Sequence, residues 1–359
     1  MPEGCANGKL ACPPYTEKVR RGLLFVVLLQ LAGALYSQPL AGSKACAACH
    51  RVEAGRHAAS MHERALRPST TSHASALFDR PVRERSGIEF NYELTPQGLK
   101  VESQAGGAAQ SALLEWIFGA GTLAFTPVGR LNGRYFEHRV SWYSSLQRPG
   151  MTLGHPAQGP SSAGAALGQL QAPETITRCF SCHATGVKPG PDLSSMIPGV
   201  QCERCHGPGA EHIKAPAGQN IRKLTGLSPV ESVQVCAECH RMPEGNPIGT
   251  TPEQHDPMMI RFAPVGLLAS KCFQASGSLT CVTCHDPHSG TASGNTSFES
   301  KCRSCHAAAS VLKTRSAASS CPRETGGSCL SCHMVKATPV PGLTFTDHRI
   351  RVFPKALRN

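Results

Sequence analysis

The pattern Cys-x-x-Cys-His occurs seven times in this 359-residue chain, and no other feature narrows its fold so far. The copies are Cys46-Cys49-His50, Cys179-Cys182-His183, Cys202-Cys205-His206, Cys236-Cys239-His240, Cys281-Cys284-His285, Cys302-Cys305-His306 and Cys329-Cys332-His333. They use 14 of the 18 Cys and 7 of the 16 His. Two thiols one helical turn apart reach the two vinyl groups along one edge of a porphyrin. The next residue then points its imidazole under the ring and ligates iron. This is the arrangement of covalent, c-type haem attachment. Zinc ribbons and disulfide scaffolds also use closely spaced Cys, but neither requires His after the second Cys, and here it follows every time. A thioredoxin-like redox motif would occur once. The reading is seven covalent c-type haems, with His50, His183, His206, His240, His285, His306 and His333 as proximal iron ligands.

Composition fits that reading. Hydrophobic residues are 40% and aromatic residues 5%, below what two ordinary cores of this length need. Gly (35) and Pro (28) predict short elements with many connections. Haem then supplies the apolar bulk. The formal net charge of +12 first suggests a nucleic-acid partner. No Lys/Arg block stands out beyond Lys18-Val19-Arg20-Arg21, and each haem carries two propionates that need cationic partners. Nucleic acid is therefore not expected, and no nucleotide, flavin or phosphate motif is present.

The N-terminus reads as an export signal over residues 1–37. Lys18, Arg20 and Arg21 precede a nearly continuous apolar stretch from Gly22 to Tyr36, with Ala32-Gly33-Ala34 as a candidate cleavage site. The stretch is short for a membrane span, which needs about 20 apolar residues. Membrane association is expected only through this segment if it stays uncleaved, and the location is periplasmic or otherwise exported. Cys5 and Cys12 fall within it. Cys272 and Cys321 are then the two Cys left outside motifs, and in an oxidising compartment such a pair favours a disulfide.

Haem motifs are unevenly spaced. A first haem module covers residues 43–67, a haem-poor insertion residues 68–165, and a six-haem domain residues 173–359. The insertion carries strand signals: Ile88 to Leu94 alternates with period two, and Leu113 to Phe118, Thr122 to Phe125 and Tyr135 to Tyr143 are further candidates. Residues 154–172, rich in Gly, Ala, Ser, Gln and Pro, read as a linker. The expected fold is mostly short α-helices and loops wrapped around stacked haems, with a small β-rich insertion.

Nine His lie outside the motifs, enough by count for bis-His ligation of all seven haems. A distal His or Met makes a six-coordinate, electron-transferring haem, whereas an empty position admits small molecules. His288 follows His285 too closely to pass around a porphyrin edge, so a neighbouring haem is the better partner; His212 after His206 reads alike. His73, His155 and His255 read as surface or hydrogen-bonded residues.

At this point the chain resembles multihaem cytochromes of the cytochrome c-552/4 type, relatives of the nitrifier tetrahaem cytochrome and of hydroxylamine oxidoreductase. The resemblance rests on Cys179-Phe-Ser-Cys-His, on Gly199-Val-Gln-Cys-Glu-Arg-Cys-His-Gly-Pro-Gly-Ala-Glu-His212, on Cys281-Val-Thr-Cys-His-Asp-Pro-His288, on Cys329-Leu-Ser-Cys-His-Met334 and on Phe345-Thr-Asp-His348. It implies that His212, His288 and His348 are distal ligands. It also implies that a residue about ten positions after the first motif faces an iron, for which His57, Met61 and His62 compete. His138 completes the distal candidates. Relatives often continue into helical repeats, which are not expected after Asn359.

Two functions follow from these readings. The first is a conduit passing electrons between redox partner proteins, because six motifs within residues 179–333 force irons close together. The second, implied by the resemblance, is a multihaem oxidoreductase acting on a small nitrogen or sulfur compound at one open haem. Against it, no Cys-x-x-Cys-Lys variant is present. The haem served by the Arg56–Arg64 stretch is the expected open one, since three ligands compete there.

Overall fold

A computed structural model of the chain describes residues 39–188, 190, 192–216, 220–241, 257–289, 298–306 and 329–354. The segment expected to direct export lies outside them, as do Cys321 and His255. Among the described residues no helix is long and apolar enough to cross a membrane.

Residues 66–170 build one antiparallel sheet of ten strands. These are β1 (Leu66–Pro68), β2 (Val82–Arg83), β3 (Glu89–Thr95), β4 (Gly98–Ala105), β5 (Ala108–Phe118), β6 (Ala124–Leu131), β7 (Arg134–His138), β8 (Val140–Tyr143), β9 (Arg148–Met151) and β10 (Gly168–Leu170). The spatial order is β10-β7-β6-β5-β4-β3-β2, with β1 pairing with β5 and β8 pairing with β6 and β9. Tight turns fix the register. Gly106-Gly107 joins β4 to β5 and Asn132-Gly133 joins β6 to β7, all four with positive φ, as a two-residue hairpin turn matched to strand twist requires.

Alternation then decides what is buried. Leu99, Val101 and Ser103 of β4 face inward while Lys100 and Gln104 face out. The inward set meets Phe90, Leu114, Ile117, Phe136 and Val140, and Ala166 and Leu167 of helix Ala163–Leu167 cover it. Each fully buried Leu or Phe contributes roughly 1.5–3 kcal/mol, so this body has a core of its own. A buried ion pair, Arg139 Nε to Glu84 at 2.8 Å, closes one side, and Arg139 also donates to the carbonyl of Pro156.

The expectation of a mostly helical chain with a small β insertion is thereby overturned: the sheet is the largest continuous body among the described residues. The edge strands β1, β2, β9 and β10 have two to four residues, too few for an alternation to show in sequence. The segment expected to be a linker holds helix Ala163–Leu167, whose N-cap Ser162 accepts from the Ala165 amide, and strand β10, which pairs with β7.

The remainder is helices of four to twelve residues and two short ribbons. Pro at the first turn and a Ser228–Glu231 capping box start helix Pro229–His240. Its apolar cluster holds only Val233, Leu267 and Leu268 as buried members. The sheet meets this part through Leu66, Phe118 and Val128, which pack against Ile176 and Phe180 of helix Pro173–His183.

Candidate haem-ligation sites

Each Cys-x-x-Cys-His sits in or at the end of a helical turn, so the imidazole follows both thiols on one side. Four of the seven motif imidazoles face a second imidazole from a distant segment. His50 faces His212 with ring centroids 6.4 Å apart, and His62 faces His240 at 6.2 Å. His206 faces His288 at 6.2 Å, and His285 faces His348 at 6.1 Å. Metal–imidazole bonds of about 2.0–2.1 Å, with each ring centre roughly 1 Å behind its nitrogen, put two trans imidazoles about 6 Å apart. All four pairs have that spacing. Direct stacking of two imidazoles would bring them closer, so the gap fits an iron in a porphyrin plane.

Hydrogen bonds set the tautomer the iron needs. The Nδ1–H of His62 donates to the Pro287 carbonyl (3.2 Å), that of His183 to Ala65 (3.0 Å) and that of His206 to Arg222 (3.2 Å). His333 donates to Arg351 (3.1 Å), His348 to Thr346 (3.0 Å), and His212 to the side-chain oxygen of Asn220 (3.1 Å). Each leaves Nε2 with its lone pair free for a metal. Burial also lowers the pKa of His183, His240, His285 and His348, favouring the neutral, ligating form. None of these acceptors is signalled in the sequence. Five are backbone carbonyls, and Asn220 is an ordinary loop residue.

Further observations fit haem. Beside His348 lies a cavity of about 320 Å³ lined by Phe262, Val265, Arg349 and Arg351 among others. The buried Nε of Arg349 has no hydrogen-bond partner there, and a propionate would supply one. Thiols of different motifs also lie close to one another. Cys46 is within hydrogen-bonding reach of Cys202, Cys182 of Cys239, and Cys236 of Cys281. Arg204 of the third motif donates to Glu238 and to the Cys239 sulfur of the fourth, and the helices of the fifth, sixth and seventh motifs pack on one another in turn. The motifs thus form one connected series, first–third–fourth–fifth–sixth–seventh, with the second joined at the fourth.

Other candidates sit elsewhere. His57 is buried with Nε2 2.9 Å from the Val200 carbonyl, and burial lowers its pKa. The sulfur of Met61 accepts from Thr122 at 2.6 Å. His62 is therefore the member of the Arg56–Arg64 stretch that faces a motif imidazole. His138 is fully buried in the sheet: Nδ1 donates to the Leu167 carbonyl (2.6 Å) and Nε2 accepts from the Tyr92 hydroxyl (2.8 Å), which leaves neither nitrogen for iron. His155 lies 3.3 Å from the Glu137 carboxylate, and His73 packs edge-on against Phe125. Cys272 is near Cys305, and its expected partner Cys321 is among the undescribed residues. Among the described residues no imidazole is paired with His183, His306 or His333; the edge of Phe118 meets His183 at 5.0 Å.

Residues 142–207, which include the second and third motifs, match the family described as cytochrome c554 and c-prime. No curated protein matches the chain. Among solved structures, that of the outer cell wall cytochrome OcwA is similar, with a TM-score of 0.48 and 14% identity over 87% of this chain and 79% of that one. Motifs, imidazole spacing and family match together support a multihaem c-type cytochrome that transfers electrons.

Proposed function

We propose that the chain is an exported seven-haem cytochrome that carries electrons between redox partner proteins, related to the cytochrome c-552/4 group. The observation that carries this reading is the set of four imidazole pairs at 6.1–6.4 Å, each joining a motif to a distant segment. Two imidazoles close both faces of an iron to exogenous ligands and leave electron transfer as its chemistry. The adjacency of the motifs supports a continuous path. With haem bound, the motif His would hold one face, His212, His62, His288 and His348 would hold the other at four of the sites, and the motif Cys would fix the ring edges. The reading also pairs Cys272 with Cys321, which lies outside the described residues; Cys272 is a free thiol in the structure. Intact-mass measurement of fully matured protein should give the processed chain plus seven haems; six or fewer sinks the count.

One observation favours a second reading, an oxidoreductase acting on a small nitrogen or sulfur compound. His183 has its Nδ1 engaged by Ala65 and an aromatic wall beside it, with no imidazole opposite among the described residues. The Arg56–Arg64 stretch no longer supplies the open position, because His62 faces His240. If the reduced protein binds carbon monoxide at one haem in seven, this reading gains. An unchanged Soret band leaves the conduit alone.

A further inference from the structure

Glu203 lies between the two Cys of the third motif, yet its carboxylate serves the first haem site. The residue is 6% exposed. Its Oε1 accepts from the backbone amides of Ala41 (2.8 Å) and Gly209 (2.7 Å), and its Oε2 accepts from Gly42 (2.9 Å). Those amides open the two turns that hold the ligands of the first haem. Gly42 is the N-cap of turn Ser43–Ala47, its carbonyl accepting from Ala45 and Cys46, and that turn leads to His50. Gly209 is the N-cap of turn Ala210–Lys214, its carbonyl accepting from Ile213, and that turn carries His212. Neighbouring contacts reinforce the staple: Ser43 donates to the Gln201 side chain at 2.7 Å, and the Cys202 thiol lies 3.4 Å from the Ser43 hydroxyl.

We infer that Glu203 is a positioning residue for the first haem: one buried carboxylate holds both axial-ligand segments, His50 and His212, at the spacing an iron requires, and ties that site to the third motif. The inference rests on the reading of His50 and His212 as an axial pair. The logic is that of ligands oriented by partners outside the metal's immediate contacts. A buried carboxylate accepting three amide bonds is costly to remove, because the amides are left without partners. With haem held at these turns, a carboxylate at this place would favour the ferric state.

The test uses the matured full chain with haem count verified by mass. In ferric magnetic-resonance spectra, Glu203→Ala should convert part of one low-spin haem in seven to high spin, with the other six unchanged. Glu203→Gln keeps an oxygen for Ala41 and Gly209. It should retain low-spin ligation and raise the potential of one or two haems. His212→Ala is the reference and should convert one haem fully. If His212→Ala converts a haem while Glu203→Ala matches wild type in spin state and potentials, the inference is overturned and the ligation reading stands. Should His212→Ala leave every haem low-spin, both are overturned. If Glu203→Ala is not recovered with seven haems, Glu203→Gln decides, and unchanged potentials overturn the inference.

Discussion

The sheet body at residues 66–170 and the haem-bearing helices around it are held together by different means. The sheet has a ladder of antiparallel pairs and thirteen buried apolar residues in one cluster. The main cluster of the late helices has three. Helices of four to nine residues, such as Cys281–Cys284 and Phe298–His306, are too short to persist on propensity. Haem attached at the Cys-x-x-Cys-His motifs would supply what the side chains lack: covalent anchors, bonds to distant His and apolar porphyrin surface. On the proposed reading, one region is folded by its sequence and the other by its sequence plus cofactor.

The largest expected effect tests that contrast directly. Replacing the motif Cys by Ala throughout should leave the sheet protected in amide exchange, with Phe90, Val101 and Phe136 still buried. The described helices from Cys202–His206 to Cys329–His333 should lose protection almost completely. Equal protection of both regions, or equal loss, breaks the comparison. Helix Pro173–His183 is the informative border, since Phe180 is fully buried against Trp116, Phe118 and Tyr135 of the sheet.

A smaller effect lies within the sheet. His138 is pushed down to about 3 by burial, against an ordinary value of 6.5. Between those values the unfolded chain binds a proton that the folded chain refuses, so the sheet is at full stability above about 6.5 and weakens as pH falls toward 3. The loss at the acid end is on the order of 5 kcal/mol at most. His138→Gln should flatten that slope between pH 6.5 and 3 in sheet-specific amide exchange while leaving the haem spectra unchanged. A variant with the same pH slope as wild type would show that another group carries it.

How much of this was legible follows the same divide. The seven motifs were plain, because covalent attachment demands fixed local spacing. The alternation at Ile88 to Leu94 was plain as well, and β3 lies there. The extent of the sheet was not. Its edges are strands such as Val82–Arg83 and Gly168–Leu170, which exist only because longer neighbours offer them a ladder. The pairing of imidazoles was equally hidden. His62 and His240, or His50 and His212, meet through chain topology, and nothing local to either residue encodes its partner. His138 shows the converse: a count of spare imidazoles includes it, yet it packs against Phe90 and Tyr92 inside the sheet.

The smallest effect sharpens the comparison, because it asks whether a polar contact matters where covalent bonds already hold the cofactor. Asn220 accepts from His212 Nδ1, and its own amide is anchored on the carbonyls of Glu211 (3.1 Å) and Ala215 (2.8 Å). The amide cannot easily turn, so its oxygen fixes the Nδ1–H tautomer of the imidazole facing His50. Asn220→Leu removes the acceptor but leaves both ligands and both thioethers. The first haem should stay low-spin, because the turn Ala210–Lys214 still presents His212. With less electron density on the imidazole, the ferric state loses some stabilisation and the potential rises. The rise should stay below about 59 mV, the shift produced by a tenfold change in relative affinity for a one-electron couple. Asn220→Asp gives up both donor bonds to the carbonyls but offers Nδ1 a charged acceptor, and should move the same haem the opposite way. Opposite signs for the two variants in a spectroscopic redox titration would place Asn220 in electronic contact with the iron through His212; identical spectra and potentials would reduce it to a loop anchor.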